Sequence, residues 1–208
     1  MAAAECSAPQ TRAQDALFVQ HCSFAGLRAQ LPLCWPRTRG LPDSPKKRYR
    51  SQYVYAGWED LDDPTNWEHL SSFVLVLRLV DFSPLRATLA WLLGWTSPRG
   101  KVPFDPLSFF LLVGWQVVQG WSRAETLRNI RQPRYADYAA AFGFRNHDFP
   151  TEGGVRYFLT TIGSHCATHD ETLSVQLDDE QVVEIAIQYL NHLIVGAVQL
   201  IRQAHLLS

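Results

Sequence analysis

Arg123, Arg128 and Arg131 fall on one short predicted helix, and Arg134, Arg145 and Arg156 follow in the same basic stretch. A guanidinium is permanently charged and presents a planar fork of donors, a geometry that pairs with phosphate oxygens. With Leu127 and Ile130 turned inward, the three on helix 122–131 share a solvent-facing arc. The chemistry such a group supports is the binding of a polyanion, through contacts that position a backbone rather than read bases. Scattered arginines also simply solvate a helix surface, so the six are weighed as a group.

Other chemistries are poorly supplied. His165-Cys166-Ala167-Thr168-His169 and His21-Cys22 offer Cys/His pairs at zinc-ligand spacing, but no second Cys pair stands at a matching distance. The expectation is an ordinary loop there, with no metal and no cofactor. The chain lacks Gly-x-Ser-x-Gly and a phosphate-binding Gly-rich loop, so no catalytic residue is assigned. Trp91, Trp95, Trp115 and Trp121 are expected to pack a core rather than to form a base-stacking platform.

The elements that must hold the arginines are marked by their ends. Asp105-Pro106 opens an almost wholly apolar helix over 105–119, and Gly120 closes it. Ser122 caps the next helix, 122–131, with Glu125 at the spacing of a capping box. Pro133 ends that helix, 135–142 is a third closed by Gly143, and Pro150-Thr151 opens a fourth over 151–162. A buried helix, a tight turn, a short basic helix and a helix led by Pro-Thr form a helix-turn-helix-like arrangement.

Upstream, 15–31 reads as an amphipathic helix opened by Asp15. From 31 to 64 five prolines and scattered charge fit an extended or mobile linker, in which Tyr53, Tyr55 and Trp58 make a short strand or an anchor on the core surface. Thr65 or Asn66 caps a helix over 67–79, which pairs as a hairpin with 84–93 through Asp81-Phe82-Ser83. After Gly163 a polar loop leads to the longest predicted helix, 178–205, with acids in its first turn and a broad apolar face. The fold class is therefore mainly α: a multi-helix bundle with a helix-turn-helix-like core and a long C-terminal helix.

The 208 residues suffice to bury a core without disulfides, and 47% hydrophobic with 19% charged content is globular. A net charge of -1 carries no global signal for nucleic acid, yet its distribution is uneven. Residues 37–50 and the centre are basic, while 59–81 and the tail after Cys166 are acidic, so a polyanion would meet the middle of the chain or a 37–50 arm. Cysteines 6, 22, 34 and 166 show no framework spacing, and MAAAECSAPQTRAQ lacks a secretory pattern. Both point to a reducing, cytoplasmic setting. The longest apolar runs, 73–80 and 107–118, are short of the roughly 20 residues that cross a bilayer, so no membrane partner is expected.

The order VPFDPLSFFLLVGWQVVQGWSRAETLRNI, then YADYAAAFGF, then DFPTEGGVRYF, resembles the N-terminal helical domain of bacterial insertion-sequence DDE transposases. The likeness runs through Arg99-Gly100, Asp105-Pro106, Gly120-Trp121-Ser122, Arg123, Glu125, Leu127, Phe142-Gly143, Pro150-Thr151 and Arg156, about a third of the chain. Gly153-Gly154 depart from the polar helix formers usual in the family. The resemblance implies binding of DNA at transposon ends, with Arg123, Arg128, Arg131, Arg134, Arg145 and Arg156 approaching it. Cleavage in that family belongs to a following ribonuclease-H-like domain whose three carboxylates hold two Mg²⁺.

No strand-rich scaffold for such carboxylates is legible, so the chain is expected to be a truncated, catalytically inactive portion and not an enzyme by itself. The expected organisation is an N-terminal helix with a Pro-rich basic linker (1–64), a transposase-type helical domain (65–165), and a loop with a long helix (166–208). The alternative is an interaction or dimerisation module acting through the last helix, with a second copy or the full-length transposase as partner.

Overall fold

Short polar side chains mark where several of the helices begin. The computed structural model describes residues 33–34, 48–59, 70–95, 100–169 and 178–206. Among them are seven α-helices: α1 (Ser72–Leu79), α2 (Leu85–Leu92), α3 (Pro106–Gln119), α4 (Arg123–Asn129), α5 (Ala136–Ala141), α6 (Glu152–His169) and α7 (Asp179–Leu206). A 3₁₀ turn, Pro133–Tyr135, leads into α5. Two two-residue strands, β1 (Leu33–Cys34) and β2 (Val80–Asp81), pair in parallel. The chain is mainly α, as its periodicity predicts.

Caps match their sequence signals in most places. Asp105 accepts from the Leu107 N–H at 3.0 Å with Pro106 as the first helical residue. Both halves of the Ser122/Glu125 capping box are formed. Asp178 accepts from the Glu180 and Gln181 amides at 3.0 and 2.9 Å, while the Gln181 side chain returns to the Asp178 N–H. Such reciprocal bonds satisfy amides that the first turn leaves without helical partners.

Three expectations change. The described part of the first helix starts at Ser72 and its cap is Ser71, whose hydroxyl accepts from the Val74 N–H at 3.3 Å; Thr65 and Asn66 lie outside the described residues. Helix α6 does not stop at 162 but runs to His169, so the expected polar loop starts later. Gly163 reads as a helix stop, yet here it marks a close approach: a Cβ on it would strike the Val182 carbonyl at the start of α7. The absent side chain lets α6 and α7 lie against each other, and this is the most extensive helix pair among the described residues.

The third change concerns the Pro-rich region. Residues 48–59 are extended but packed, with Ser51 and Tyr53 buried. Gln52 N–H donates to the Gly143 carbonyl at 3.0 Å and Arg50 N–H to the Pro103 carbonyl at 2.8 Å. Gly143, at φ 86°, has no room for a Cβ because the Gln52 backbone crosses it. Beneath, the wholly buried Asp105 accepts from Tyr53 N–H (3.1 Å) and Arg86 Nη2 (3.0 Å), and Arg86 also donates to the Tyr53 carbonyl (2.7 Å). With the Arg86 Nε and the Leu107 amide also donating to it, the buried carboxylate has the partners its desolvation requires. Burial also raises the Tyr53 phenol above its ordinary pKa.

Helix α3 occupies the centre. From Pro106 to Trp115 every residue is buried, in a core that also holds Phe82, Phe142 and Phe158. Trp115 stacks on Tyr138 at 5.0 Å and meets Trp121, Tyr135 and Phe142 edge-on, joining α3, the following turn and α5 through one ring cluster. Helix α7 turns Val183, Ala186, Leu190 and Ala197 into the core. Asp179–Leu200 is long and apolar enough to cross a bilayer, with mean hydropathy 1.3, a stretch that the count of uninterrupted apolar residues passes over. Its exposed positions include Glu184, Gln188, Asn191 and His192, the stripe of an amphipathic helix packed on one side. The predicted helix 15–31, the 37–47 part of the basic arm and most of the 31–64 linker lie outside the described residues.

Candidate nucleic-acid interface

The turn that aims α4 is fixed from both sides. Gly120 adopts a left-handed conformation (φ 66°), which ends α3 and leaves Trp121 to pack on Trp115. Ser122 then starts α4, and its backbone and side-chain donors hold the Glu125 carboxyl below its usual range. Thr126, Leu127 and Asn129 are buried, so the opposite face carries Arg128 outward, and Arg131 lies just beyond the end of the helix.

The six predicted arginines divide into two sets. Arg123, at the first position of α4, is 22% exposed and points toward Glu180 on α7 at 3.9 Å. Arg156 on α6 donates to Asp179 at 2.9 Å. These two are thus brought together at the first turn of α7, facing carboxylates of their own chain. Arg128 is 69% exposed, with Glu125 at 3.9 Å. Arg131 donates to the Pro150 carbonyl at 3.1 Å, fastening the end of α4 to the start of α6. Arg134 lies over the Tyr135 ring at 4.8 Å.

Arg145 heads a tight turn in which its carbonyl accepts from the Asp148 N–H at 2.9 Å, with Asn146 (φ 53°) and His147 (φ 57°) both left-handed. Two left-handed central residues are the signature of a type I′ turn, which tolerates Asn readily. Arg128, Arg131, Arg134 and Arg145 are all exposed.

The remaining candidates are placed as follows. His165, Cys166 and His169 lie on α6 rather than on a loop, and the His165 ring meets Trp91 edge-on at 4.5 Å. Among the described residues no three His, Cys, Asp or Glu side chains gather in a metal-binding group; His21 and Cys22 lie outside them. Cys166 is a half-buried free thiol whose pKa burial raises, and burial likewise raises Tyr189, with Cys166 adding to the effect. Of the four tryptophans expected in the core, Trp115 is wholly buried, but Trp91 is 45% exposed.

Sequence reasoning missed Arg50, Trp95, Lys101 and Tyr157 as a group. They border a cleft of about 370 Å³ above Phe104, Phe109 and Phe158, beside the start of α6. Their positions in the chain are too far apart for spacing to reveal it; the one local signal is Tyr157, an aromatic on the outer side of α6. No protein family model, curated protein or solved structure matches this chain.

Proposed function

We propose that this chain is the DNA-binding portion of a transposase, recognising transposon ends through its central helices and lacking cleavage activity of its own. The observation that carries this reading is the use made of the residues behind the family resemblance. Asp105-Pro106, Gly120, Ser122 with Glu125, Gly143 and Thr151 each sit at a helix boundary, and between those boundaries Arg128, Arg131, Arg134 and Arg145 face solvent. In this reading α3, its turn and α4 act as a helix-turn-helix-like unit, with the four exposed arginines on phosphates.

Dimerisation through α7 is the second reading: Val183, Ala186, Leu190 and Ala197 of that helix enter the core, while Val195 stays exposed. The test is a salt titration of binding to a duplex carrying the terminal repeat that flanks the gene. Log affinity falls linearly with log salt, and replacing the four exposed arginines by Ala flattens the slope by about 0.9 for each phosphate no longer neutralised. Absence of binding even at low ionic strength overturns the reading.

A further inference from the structure

The cleft beside α6 is a concavity in which aromatic faces and cations converge. Its floor is Phe109 stacked on Phe158, centroids 5.0 Å apart, with Phe104 edge-on to Phe109 at 5.8 Å. Tyr157, 62% exposed, and the half-buried Trp95 and Phe149 stand around its mouth. Its volume of about 370 Å³ falls within the range of sites for small organic ligands, roughly 300–1,000 Å³.

The charged residues lining the cleft are Arg50 and Lys101, and no acidic residue among those described lines it. Arg50 lies over the Phe104 ring at 4.3 Å while its Nε donates to Asp148 at 2.9 Å and its Nη2 to the other oxygen of the same carboxylate, so its position is held from two sides and its charge is already paired. Lys101 is exposed, with its ammonium available to a ligand anion. Thr151 Oγ1 accepts from the Gly154 N–H at 3.2 Å, which leaves the hydroxyl proton to donate outward. Gly154 keeps the wall low, since it projects no side chain into the space.

A ligand that matches these features is flat, aromatic and anionic. We infer that the cleft takes an unpaired nucleotide of a DNA strand, its base against Tyr157 and Trp95 and its phosphate toward Lys101. Stacking of this kind tolerates any base, because each has a π-face. The inference takes its source of nucleotides from the DNA-binding reading but uses residues that reading does not.

The experiment measures fluorescence anisotropy with two labelled duplexes, one blunt and one with a four-nucleotide single-stranded overhang. Each is titrated with the full chain and with Tyr157→Ala and Lys101→Ala, both at exposed positions; thermal melting verifies that the variants fold. The overhang is expected to bind about tenfold more tightly than the blunt end, from stacking of one base. Tyr157→Ala should abolish that advantage and leave blunt-duplex affinity unchanged, and Lys101→Ala should reduce it. Equal binding of both duplexes by the native chain overturns the cleft and leaves the proposed function standing, as does an advantage that survives Tyr157→Ala. Binding of the overhang alone, sensitive to Tyr157, supports the cleft and overturns duplex recognition. Binding of neither overturns both.

Discussion

Arg156 on α6 donates a 2.9 Å hydrogen bond to Asp179, the first residue of α7. The neighbouring Glu180 faces Arg123 at 3.9 Å, so the acidic start of the last helix occupies two of the six arginines named as DNA contacts. A carboxylate beside a guanidinium competes with phosphate for the same donors. The first turn of α7 therefore acts against any polyanion on this side of the molecule.

Neutralising those acids should strengthen DNA binding. The double variant Asp179→Asn, Glu180→Gln is expected to bind duplex several-fold more tightly at low salt, with a salt slope steeper by up to about two phosphate contacts. Stability should change by about 1 kcal/mol or less, since exposed pairs contribute little. Anisotropy titrations at several salt concentrations measure the slope; an unchanged slope means neither arginine reaches DNA.

Removing the carboxylate at the centre of the fold should have a far larger effect. Asp105→Ala leaves Arg86 without its buried partner and the Tyr53 and Leu107 amides without their acceptor. A loss of about 3–5 kcal/mol is expected, visible as a lower urea midpoint. Arg86→Ala should fall in the same range, because it strands the buried carboxylate instead.

Two glycines of α6 should respond in opposite directions. At Gly163 a Cβ meets the Val182 backbone, which cannot swing aside, so Gly163→Ala should cost about 1–3 kcal/mol through the α6–α7 contact. Gly153 has open space around it, and Gly153→Ala should stabilise by about 0.5–1 kcal/mol by lowering the entropy lost on forming the helix. Thermal melting of the pair distinguishes close packing from helix propensity.

Burial raises the Cys166 thiol above its ordinary pKa, so less of it is thiolate at about pH 8 than of an exposed cysteine. Iodoacetamide should label it more slowly in the folded chain than in urea, with the folded rate still rising above about pH 9. Peptide-resolved mass spectrometry of the labelled chain measures both. Equal rates in the two states would show that the α6–α7 seam opens freely.

Most helix boundaries with a local cap are readable in the sequence, the start of α1 at Ser71 being the exception. Asp105 before Pro106, Ser122 three residues ahead of Glu125, and Gly120 each act within one turn, and each is recognisable for that reason. Gly163 reads wrongly as a stop because its role is set by Val182, on another helix. Residues 48–59 read as linker with Tyr53, Tyr55 and Trp58 as a strand or an anchor; they are an anchor, and spacing could not choose because the groups that bond the Tyr53 backbone, Arg86 and Asp105, lie far along the chain. At the candidate interface the arginines are legible as residue types, but the carboxylates facing Arg123 and Arg156 lie on α7, where neither spacing nor periodicity connects them.

The extended segment 48–59 also imposes an order of events on a newly made chain. It is synthesised before every helix described, yet Tyr53 reaches its acceptor 52 residues later and Arg50 its acid 98 residues later. Caps such as Ser122 with Glu125 close within a few residues, at little cost in loop entropy. Closing the long loops is slower, so α3 and α4 can form while Asp105 still faces water. This early segment to leave the ribosome can be seated only after Asp105 and Asp148 have followed it.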